Sequence, residues 1–351
     1  MPLRRLLEAC WWRGQHAWLA TLLWPLATLY GGLVGARSLA YRAGLLRSGR
    51  APVPVVVVGN LVAGGAGKTP ATLALVSALK AAGWSPGIVS RGYGGSGRLA
   101  RAVSTGHGPK DCGDEPLLLR RRSGVPVWVG ADRLAAARAL CAAHPEVDVL
   151  VADDGRQHLR LVRDAELIVI DERGVGNGHL LPAGPLRERP PRHPPPHAAV
   201  LYNARHPTTA WPGHPAPRRL AAPVPLARWW RGEAGTPGWP AAVAAEPIVA
   251  AAGTADPERF FVMLEQAGLQ ISRMPLPDHA SWDDVAWPPG QGPMLVTEKD
   301  AVKIPPTHPE AARVHVVPLD FELPAGVLEQ ILGLLPPRPR APPASPQPDR
   351  A

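Results

Sequence analysis

The stretch that decides the fold reads Gly59-Asn60-Leu61-Val62-Ala63-Gly64-Gly65-Ala66-Gly67-Lys68-Thr69-Pro70. It follows the apolar run 53–58, whose length and valine content are typical of a buried parallel strand. It precedes a helical pattern that starts at Pro70, where the missing proline N–H costs nothing. Strand, glycine-rich loop and helix in this order form a cradle, because backbone N–H groups and the helix N-terminus attract a phosphate. Lys68 would reach the β- and γ-phosphates of a nucleotide, and Thr69 would ligate Mg²⁺.

The loop departs from the strict phosphate-loop pattern at one position. The pattern G-x-x-x-x-G-K-[ST] requires glycine at position 62, where this chain has Val62. Segment 64–69 is closer to the variant loop of partitioning-type ATPases, which carry a lysine at the position of Ala63. A glycine turn that only joins a strand to a helix is the alternative, but the flanking elements and the Lys-Thr pair favour a nucleotide site. We predict that the ATP-binding residues are Gly64, Gly65, Ala66, Gly67, Lys68 and Thr69.

Length and composition bound the remaining possibilities. A chain of 351 residues exceeds the size at which one hydrophobic core usually stops growing, so we expect two domains. The net charge of +9 suits nucleic acid, an anionic membrane face or a phosphorylated substrate. No basic run interleaved with aromatic residues is present, so nucleic acid is the least supported partner. The three cysteines are too few and too scattered for a disulfide framework or a metal knuckle, which fits a reducing cytosol.

The N-terminal segment predicts a membrane anchor. Residues 17–36 carry no charge and are about as long as the ~20 residues that cross a hydrocarbon core. Interfacial aromatic residues accompany the segment: Trp11, Trp12, Trp18, Trp24 and Tyr30. Pro25 in its middle and arginines on both flanks argue against spanning, so we expect a helix inserted shallowly, or as a hairpin, on the cytoplasmic face. A helix packed on the protein's own core is the alternative.

Strands and helices alternate from residue 53 to about 200. Apolar strands at 53–58, 87–90, 125–129, 147–151 and 167–170, with helices at 70–82 and 132–143, predict a parallel sheet covered on both faces. After the proline-rich break at 189–196, residues 199–246 show little periodicity. A second α/β pattern begins at 247, with a helix through 260–264, strands at 294–297 and 314–319, and a helix at 325–335.

These patterns predict an α/β fold: a P-loop-type, mostly parallel sheet flanked by helices, a smaller C-terminal α/β domain and an N-terminal membrane-associated helix. We expect an anchor at 1–37, a P-loop domain at 38–198, a C-terminal α/β domain with linker strands at 199–335, and a disordered proline-rich tail at 336–351. Ligands of such sheets bind beyond the carboxyl ends of the strands.

Charged side chains that follow predicted strands are the candidates for chemistry, and those after strand 167–170 are Asp171, Glu172 and Arg173. Asp153 and Asp154 come after strand 147–151 and could hold Mg²⁺; an Asp-Gly turn is the alternative, but the nearby phosphate loop favours the metal. Asp114 and Glu115 could supply a base, although the residues alone favour a helix cap before Pro116.

Other candidates are equally open on the residues alone. Arg91 and Tyr93 could contact a substrate phosphate or sugar, or only form a tight loop. Arg187 could face a phosphate, or form a surface ion pair with Glu188 or another acid. A lone loop histidine such as His279 is more often incidental.

The motifs taken together resemble the tetraacyldisaccharide 4′-kinases of lipid A biosynthesis, over the chain from the N-terminal anchor to about residue 335. The variant phosphate loop is itself typical of that family. The order and joint presence of the other blocks carry the resemblance: Ser90-Arg91-Gly92-Tyr93-Gly94, Gly113-Asp114-Glu115-Pro116, Asp153-Asp154-Gly155-Arg156-Gln157-His158, Asn177 through Glu188, Asp278-His279 and Thr297-Glu298-Lys299-Asp300.

The resemblance implies that ATP phosphorylates the 4′-hydroxyl of a tetraacylated glucosamine disaccharide 1-phosphate, with Mg²⁺, on the cytoplasmic side of the inner membrane. It implies that Lys68 and Thr69 hold phosphates and Mg²⁺, with Asp153 and Asp154 at the metal. It also implies that Asp114 takes the hydroxyl proton and that His279 pairs with and orients Asp114. With Arg187 as the phosphate-facing cation, the expected catalytic residues are Asp114, His279, Lys68 and Arg187. The residues it assigns to the lipid substrate are Arg91, Tyr93, Glu115, Gln157, His158 and Asn177. We expect a monomer and no nucleic-acid partner.

One position departs from the family, and two rivals remain. Relatives usually carry a bulky apolar residue where this chain has Arg156. A membrane-associated switch ATPase of the partitioning type is the first rival; it would have a lysine in place of Ala63 and no use for Asp278-His279. A non-catalytic or regulatory nucleotide-binding protein is the second, and it would tolerate loss of Asp114.

Overall fold

The computed structural model describes residues 3–95, 97, 99–236, 238, 248–278, 280–282, 285–287 and 292–338. Strands and helices are numbered in chain order within these ranges. The strands are β1 (Val55–Gly59), β2 (Pro86–Ser90), β3 (Arg101–Ala102), β4 (Val127–Val129), β5 (Val149–Asp153), β6 (Ala165–Asp171), β7 (Ala198–Asn203), β8 (His214–Pro215), β9 (Arg219–Leu220), β10 (Val224–Pro225), β11 (Ile248–Ala252), β12 (Ile271–Pro275), β13 (Met294–Thr297), β14 (Val314–Val317) and β15 (Leu319–Asp320). The helices are α1 (Leu3–Arg13), α2 (Ala17–Arg42), α3 (Lys68–Ala81), α4 (Pro109–Cys112), α5 (Asp114–Ser123), α6 (Arg133–Ala143), α7 (Leu226–Trp230), α8 (Pro257–Gln266), α9 (Glu298–Ala301) and α10 (Ala325–Leu334).

The strand and helix around the glycine-rich stretch form as its sequence predicts. Every residue of β1 is buried, in keeping with a valine run covered on both faces. The chain then turns through Gly67, whose φ of 90° lies in the left-handed region that glycine adopts without steric cost. Helix α3 begins at Lys68, so Pro70 lies in the first turn, where no N–H is needed. The lysine thus stands at the N-terminus of a helix that packs on the sheet.

Eight strands form the large sheet, in the order β3-β4-β2-β5-β1-β6-β7-β8. Strand β1 lies between β5 and β6 and is parallel to both, and β2 and β7 continue the parallel arrangement outward. The predicted parallel sheet with flanking helices is confirmed. Because parallel strands share one carboxyl edge, the side chains that end neighbouring strands meet there. These are Ser90, Asp153, Asp171 and Asn203.

A second, five-stranded sheet follows, in the order β10-β14-β13-β11-β12. Its strands are parallel except for β10, which runs antiparallel to β14. The single strand predicted at 314–319 is divided by Pro318, which lacks the N–H that a continuing ladder requires. The residues after it form β15, which pairs with β9 in a separate two-stranded ribbon.

Two later segments return to the large sheet. Strand β7, which begins at Ala198, and strand β8, which lies beyond it, both belong to the large sheet. Helix α10 packs on β6, β7 and α3, and Gly326 lies against the ring of His214. An apolar helix carries no signal that tells which of two sheets it will cover, so the sequence did not predict this return. The predicted domain boundaries at 37, 198 and 335 stay predictions.

The N-terminal hairpin, formed by α1 and α2, leaves an apolar surface uncovered. Helix α2 is long and apolar enough to cross a membrane by length and composition, and 11% of its most apolar window is buried. Several of its large side chains are exposed: Trp18, Leu22, Trp24, Leu26, Leu29, Leu33 and Leu39. This exposure favours the predicted anchor over a helix packed on the protein's own core. The predicted tail from 336 lies outside the described residues beyond 338.

Candidate active site

One cavity of about 1080 Å³ opens at the carboxyl edge of the large sheet, between that sheet and elements of the second one. Most of the predicted site residues line it: Gly64, Gly65, Gly67, Lys68, Thr69, Arg91, Tyr93, Asp114, Glu115, Asp153, Asp154, Gln157, His158 and Arg187. Ala66 is buried beneath the loop, and His279 lies outside the described residues. The strand ends therefore bring together groups that lie far apart in the sequence.

The carbonyl oxygens of the phosphate loop, residues 59–67, accept hydrogen bonds from three side chains that hold the loop in place. Asn60 Nδ2 donates to the Val62 carbonyl at 2.8 Å, and Arg173 Nη2 donates to the Gly65 carbonyl at 2.8 Å. Asn203 Nδ2 donates to the Ala66 carbonyl at 3.0 Å. A trans peptide directs its N–H away from the preceding carbonyl, so these bonds also set the direction of the N–H groups that follow. The loop is pre-organised to offer N–H donors to an anion.

The structure explains why valine replaces the expected glycine at position 62. Val62 forms an isolated antiparallel bridge with Leu186, and the next N–H, of Ala63, donates to the Pro185 carbonyl at 2.7 Å. The Val62 side chain is buried in a cluster with Leu61, Leu180 and Leu186. An extended, buried position favours a β-branched residue. The departure therefore anchors the loop to the segment that carries Arg187.

Asp153 and Asp154, at the end of β5, have opposite surroundings. Asp153 is buried and accepts a hydrogen bond from Thr72 Oγ1 at 2.9 Å. Burial, with the nearby charges of Glu115 and Asp154, raises its pKa to about 7. Asp154 lies 3.7 Å from Lys68 Nζ and 2.9 Å from Arg187 Nη1. Burial opposes its ionisation, but Lys68 and Arg187 lower its pKa overall.

These groups fit a magnesium ion bound together with a nucleotide. Asp153, Asp154 and the Thr69 hydroxyl supply oxygen atoms, the ligands that Mg²⁺ prefers. Within the described ranges no cluster of three or more His, Cys, Asp or Glu side chains is arranged to hold a metal ion alone. Such a sparse donor set suits Mg²⁺, which usually keeps waters and takes its other ligands from substrate phosphates. The like charges around Asp153 would also be relieved by a cation.

Asp114 starts helix α5 and faces cations from the second sheet. It is 4% exposed, and its Oδ2 lies 3.8 Å from Lys303 Nζ. Gly113 precedes it with φ of 90°, and a Cβ at that position would lie 2.4 Å from the Tyr93 carbonyl. Only glycine allows this approach, which joins the Asp114 turn to the loop that carries Arg91.

Lys299 connects the two halves of the site. Its Nζ lies 3.4 Å from Glu115 Oε1 and 3.0 Å from Asp278 Oδ1. Burial opposes its charge, but the carboxylates of Glu115, Asp114 and Asp278 raise its pKa overall. The immediate chain neighbours of Asp114 and of His279 thus meet at one lysine. The pairing of Asp114 with His279 stays a prediction.

Gln157, His158 and Arg187 form the wall next to α2. Gln157 Oε1 accepts from Arg187 Nη1 at 3.1 Å, and its Nε2 donates to Glu188 Oε1 at 3.0 Å. Burial, followed by the charge of Arg133, lowers the pKa of His158 to about 4, so its ring is neutral near pH 7. Arg187 pairs with Asp154, whereas Glu188 pairs with Arg156, so the surface pair of Arg187 with Glu188 is not formed.

Asn177 lies away from this cavity. It lines a smaller depression beneath the N-terminal hairpin, together with Cys10, Trp24 and His179. Its Nδ2 donates to the Ala183 carbonyl at 2.9 Å, and its backbone N–H donates to the Trp11 carbonyl at 2.9 Å. These contacts shape the loop that leads to Arg187. The substrate-binding role of Asn177 stays a prediction.

Several residues around the phosphate loop had no role predicted from the sequence. Arg218 donates from Nε to Asn203 Oδ1 at 2.9 Å and lies against Gly67. Burial, followed by the charge of Arg259, lowers its pKa to about 10. Arg259 and Arg173 both pair with the buried Asp171. The sequence placed Asp171 and Arg173 at this strand edge without a role. Asn203 ends the neighbouring parallel strand, a signal that could have found it, whereas Arg218 lies in a segment without periodicity.

Comparison with known proteins agrees with this arrangement. The profile of the family described as LpxK, tetraacyldisaccharide-1-P 4′-kinase, matches residues 19–336. The chain belongs to the tetraacyldisaccharide 4′-kinase family. It is 53% identical over 336 residues to the tetraacyldisaccharide 4′-kinase of Leptothrix cholodnii, covering 95% of this chain and 96% of the relative. It is 49% identical over 328 residues to that of Methylibium petroleiphilum, covering 91% and 90%.

A solved member of the tetraacyldisaccharide 4′-kinase family has the same fold. The crystal structure of LpxK from Aquifex aeolicus, described as an apo form in complex with ATP, superposes with a TM-score of 0.74 at 26% sequence identity. The match covers 90% of this chain and 99% of that one.

Proposed function

We propose that this cavity performs the reaction of the tetraacyldisaccharide 4′-kinase family. The chain is an ATP-dependent kinase that phosphorylates the 4′-hydroxyl of a tetraacylated glucosamine disaccharide 1-phosphate in lipid A biosynthesis. The observation that carries this conclusion is the family match over residues 19–336. That range includes every described residue that lines the cavity, from Tyr30 to Leu319. The first rival, a membrane-associated switch ATPase of the partitioning type, is not favoured.

We propose that the phosphate loop binds the phosphates of ATP. Its N–H groups and the N-terminus of α3 supply positive potential, and Lys68 and Arg187 add two full charges beside Asp154. Mg²⁺, held by Thr69, Asp153 and Asp154 when bound, would neutralise charge on the transferred group. Phosphoryl transfer depends on positioning and charge neutralisation more than on covalent help. The arrangement of cations around Asp154 supports this assignment.

We propose that Asp114 accepts the proton of the 4′-hydroxyl and that His279 orients it. Support for the pairing comes from Lys299, which joins Glu115 to Asp278 and so draws the two chain segments together. Catalysis would then require the second sheet to close on the first. This requirement would protect ATP from hydrolysis by water when no lipid is bound. Arg91, Tyr93, Glu115, Gln157 and His158 are proposed to contact the sugar or its 1-phosphate.

We propose that the enzyme acts on the cytoplasmic face of the inner membrane as a monomer. The exposed apolar side of α2 and the arginines near it suit an anionic leaflet. Tyr30 of α2 donates from its hydroxyl to the Arg187 carbonyl at 2.8 Å, so the anchor contacts the wall of the cavity. A lipid acceptor leaving the membrane along α2 would arrive beside Arg187.

The decisive test is transfer of ³²P from ATP to the disaccharide 1-phosphate in detergent micelles. We expect labelled lipid that depends on both the acceptor and Mg²⁺. ATP hydrolysis that is independent of the lipid, together with ATP-dependent dimerisation on size-exclusion chromatography, would instead favour the switch ATPase.

A further inference from the structure

The connection between β6 and β7, residues 172–197, carries two arginines that contact the active site, Arg173 and Arg187. Arg173 donates to the Gly65 carbonyl of the phosphate loop, and Arg187 pairs with Asp154. The N-terminal hairpin contacts this connection at a point between the two arginines, where Trp11 Nε1 donates to the Pro182 carbonyl at 3.0 Å. The hairpin is therefore packed against the segment that shapes the ATP site.

Arg173 is held on several sides. Its Nε and Nη2 donate to Asp171 Oδ2 at 2.9 and 2.6 Å, and Nη2 also donates to the Gly65 carbonyl at 2.8 Å. The guanidinium lies over the ring of Trp12 in α1, with Cζ 4.3 Å from the ring centroid. A cation stacked on an aromatic face keeps its plane parallel to the ring, which directs its in-plane donors. Trp12 is thus in contact with the guanidinium that donates to both Asp171 and Gly65.

The orientation of the Gly65 carbonyl depends on contacts from outside the phosphate loop. Gly65 is exposed, and glycine restrains its own backbone less than any other residue. Because the peptide is planar and trans, the direction of the Gly65 carbonyl fixes the direction of the Ala66 N–H. In phosphate loops the backbone N–H groups just before the lysine are the donors that hold an anion.

We propose that Trp12 is a positioning residue of the ATP site, acting through Arg173 on the Gly65–Ala66 peptide. The N-terminal hairpin then has two faces with two tasks: the apolar outer face binds the membrane, and the inner face keeps the phosphate loop in its binding geometry. The proposal rests on the proposed function, since it takes ATP to be the ligand of that loop.

The test is a double-mutant cycle on ATP affinity, measured by calorimetry in detergent without lipid acceptor. We expect Trp12→Ala to weaken ATP binding by about three- to tenfold, in line with loss of a partly desolvated cation–π contact. Trp12→Phe, which keeps an aromatic face, should bind ATP nearly as the wild type does. Because Trp12 acts through Arg173, the pair Trp12→Ala with Arg173→Ala should bind no more weakly than Arg173→Ala alone.

Trp18→Ala is the matched control, because Trp18 lies on the same hairpin but is 63% exposed. It should reduce binding to liposomes and leave ATP affinity unchanged. Two results would overturn the proposal: a folded Trp12→Ala protein that binds ATP as tightly as the wild type, or losses from Trp12→Ala and Arg173→Ala that add in full. A wild-type protein that does not bind ATP would instead contradict the proposed function itself.

Discussion

Arg156 follows the turn after β5, and the structure buries it. Its Nε donates to Glu188 Oε1 at 2.8 Å, and its Nη1 donates to Glu166. Burial works against ionisation of Glu166, but a hydrogen bond with His197 and the charges of Arg156 and Arg163 lower its pKa to about 2. A cation is tolerated here because two carboxylates face it.

We predict that Arg156→Met destabilises the protein by about 3 kcal/mol, because removal of one partner leaves buried carboxylates less compensated. Denaturant unfolding in detergent measures the effect. The matched control is Arg160→Met: Arg160 pairs with Asp132 at 3.2 Å but is 53% exposed, so the loss should be below about 1 kcal/mol. Equal losses at the two positions would mean that burial does not set the contribution of Arg156.

Asp114 is the residue on which turnover should depend most directly. We predict that Asp114→Asn lowers kcat by about 100-fold or more while ATP still binds, because phosphate binding relies on the loop backbone and Lys68. His279→Ala should act similarly, and the double variant should be little worse than the poorer single one, since the two groups act as a unit.

The control for Asp114 lies one turn earlier in the chain. Asp111 is exposed and accepts from the Gly108 N–H at 2.8 Å, so Asp111→Asn should leave turnover nearly unchanged. Steady-state kinetics measure kcat for each variant, and ATP titration measures whether ATP binding is kept. Full turnover in Asp114→Asn, or additive losses in the double variant, would contradict the assigned dyad.

At the scale of elements, α2 is a helix whose outer side lacks a protein partner within the described residues. Leu22, Leu29 and Leu33 lie on that side and are 62–66% exposed. Their spacing of seven and four residues places them on one helix face. A contiguous exposed apolar face of this kind is typical of contact with a membrane.

We predict that Leu22→Glu with Leu29→Glu releases the protein from anionic liposomes without unfolding it, because both side chains already face solvent. Flotation of liposomes measures binding, and circular dichroism measures folding. Val262→Glu is the control, since Val262 is 40% exposed on α8, outside the hairpin. Unchanged flotation of the double variant would exclude α2 as the anchor.

At the scale of the whole molecule, the two sheets meet through charged contacts that cross the cavity. Lys299 of α9 joins Glu115 of α5 to Asp278, and Arg122 pairs with Glu298. Glu298 also accepts from Trp229 Nε1 at 3.0 Å, so the short helix α9 is held on two sides. The segment Thr297-Glu298-Lys299-Asp300 thus works as a connector between sheets.

We predict that Lys299→Met lowers kcat by about tenfold or more, because the second sheet no longer brings its groups against Asp114 in the productive geometry. ATP affinity should change little, since the phosphate loop belongs to the large sheet. Lys110→Met, at an exposed position of α4, is the control. A loss of ATP affinity without a fall in kcat would contradict the connecting role.

Local patterns were sufficient for much of this protein. The valine run, the glycines and the Lys-Thr pair specified strand β1, the phosphate loop and α3, because each of these depends on residues close in sequence. The rule that ligands bind beyond parallel strand ends placed Asp153, Asp154 and Arg91 at one edge. The family motifs added Asp114, which composition alone had favoured as a helix cap.

The tertiary structure decided the features that depend on contacts between distant residues. Periodicity cannot tell that α10 covers the large sheet, that Asn203 and Arg218 support Gly67, or that Val62 pairs with Leu186. It also cannot place Trp12 on Arg173. Local sequence determines which elements form, because their backbone bonds and turns are short-range. Which elements share a core, and which side chains meet across it, is determined by packing of the whole chain.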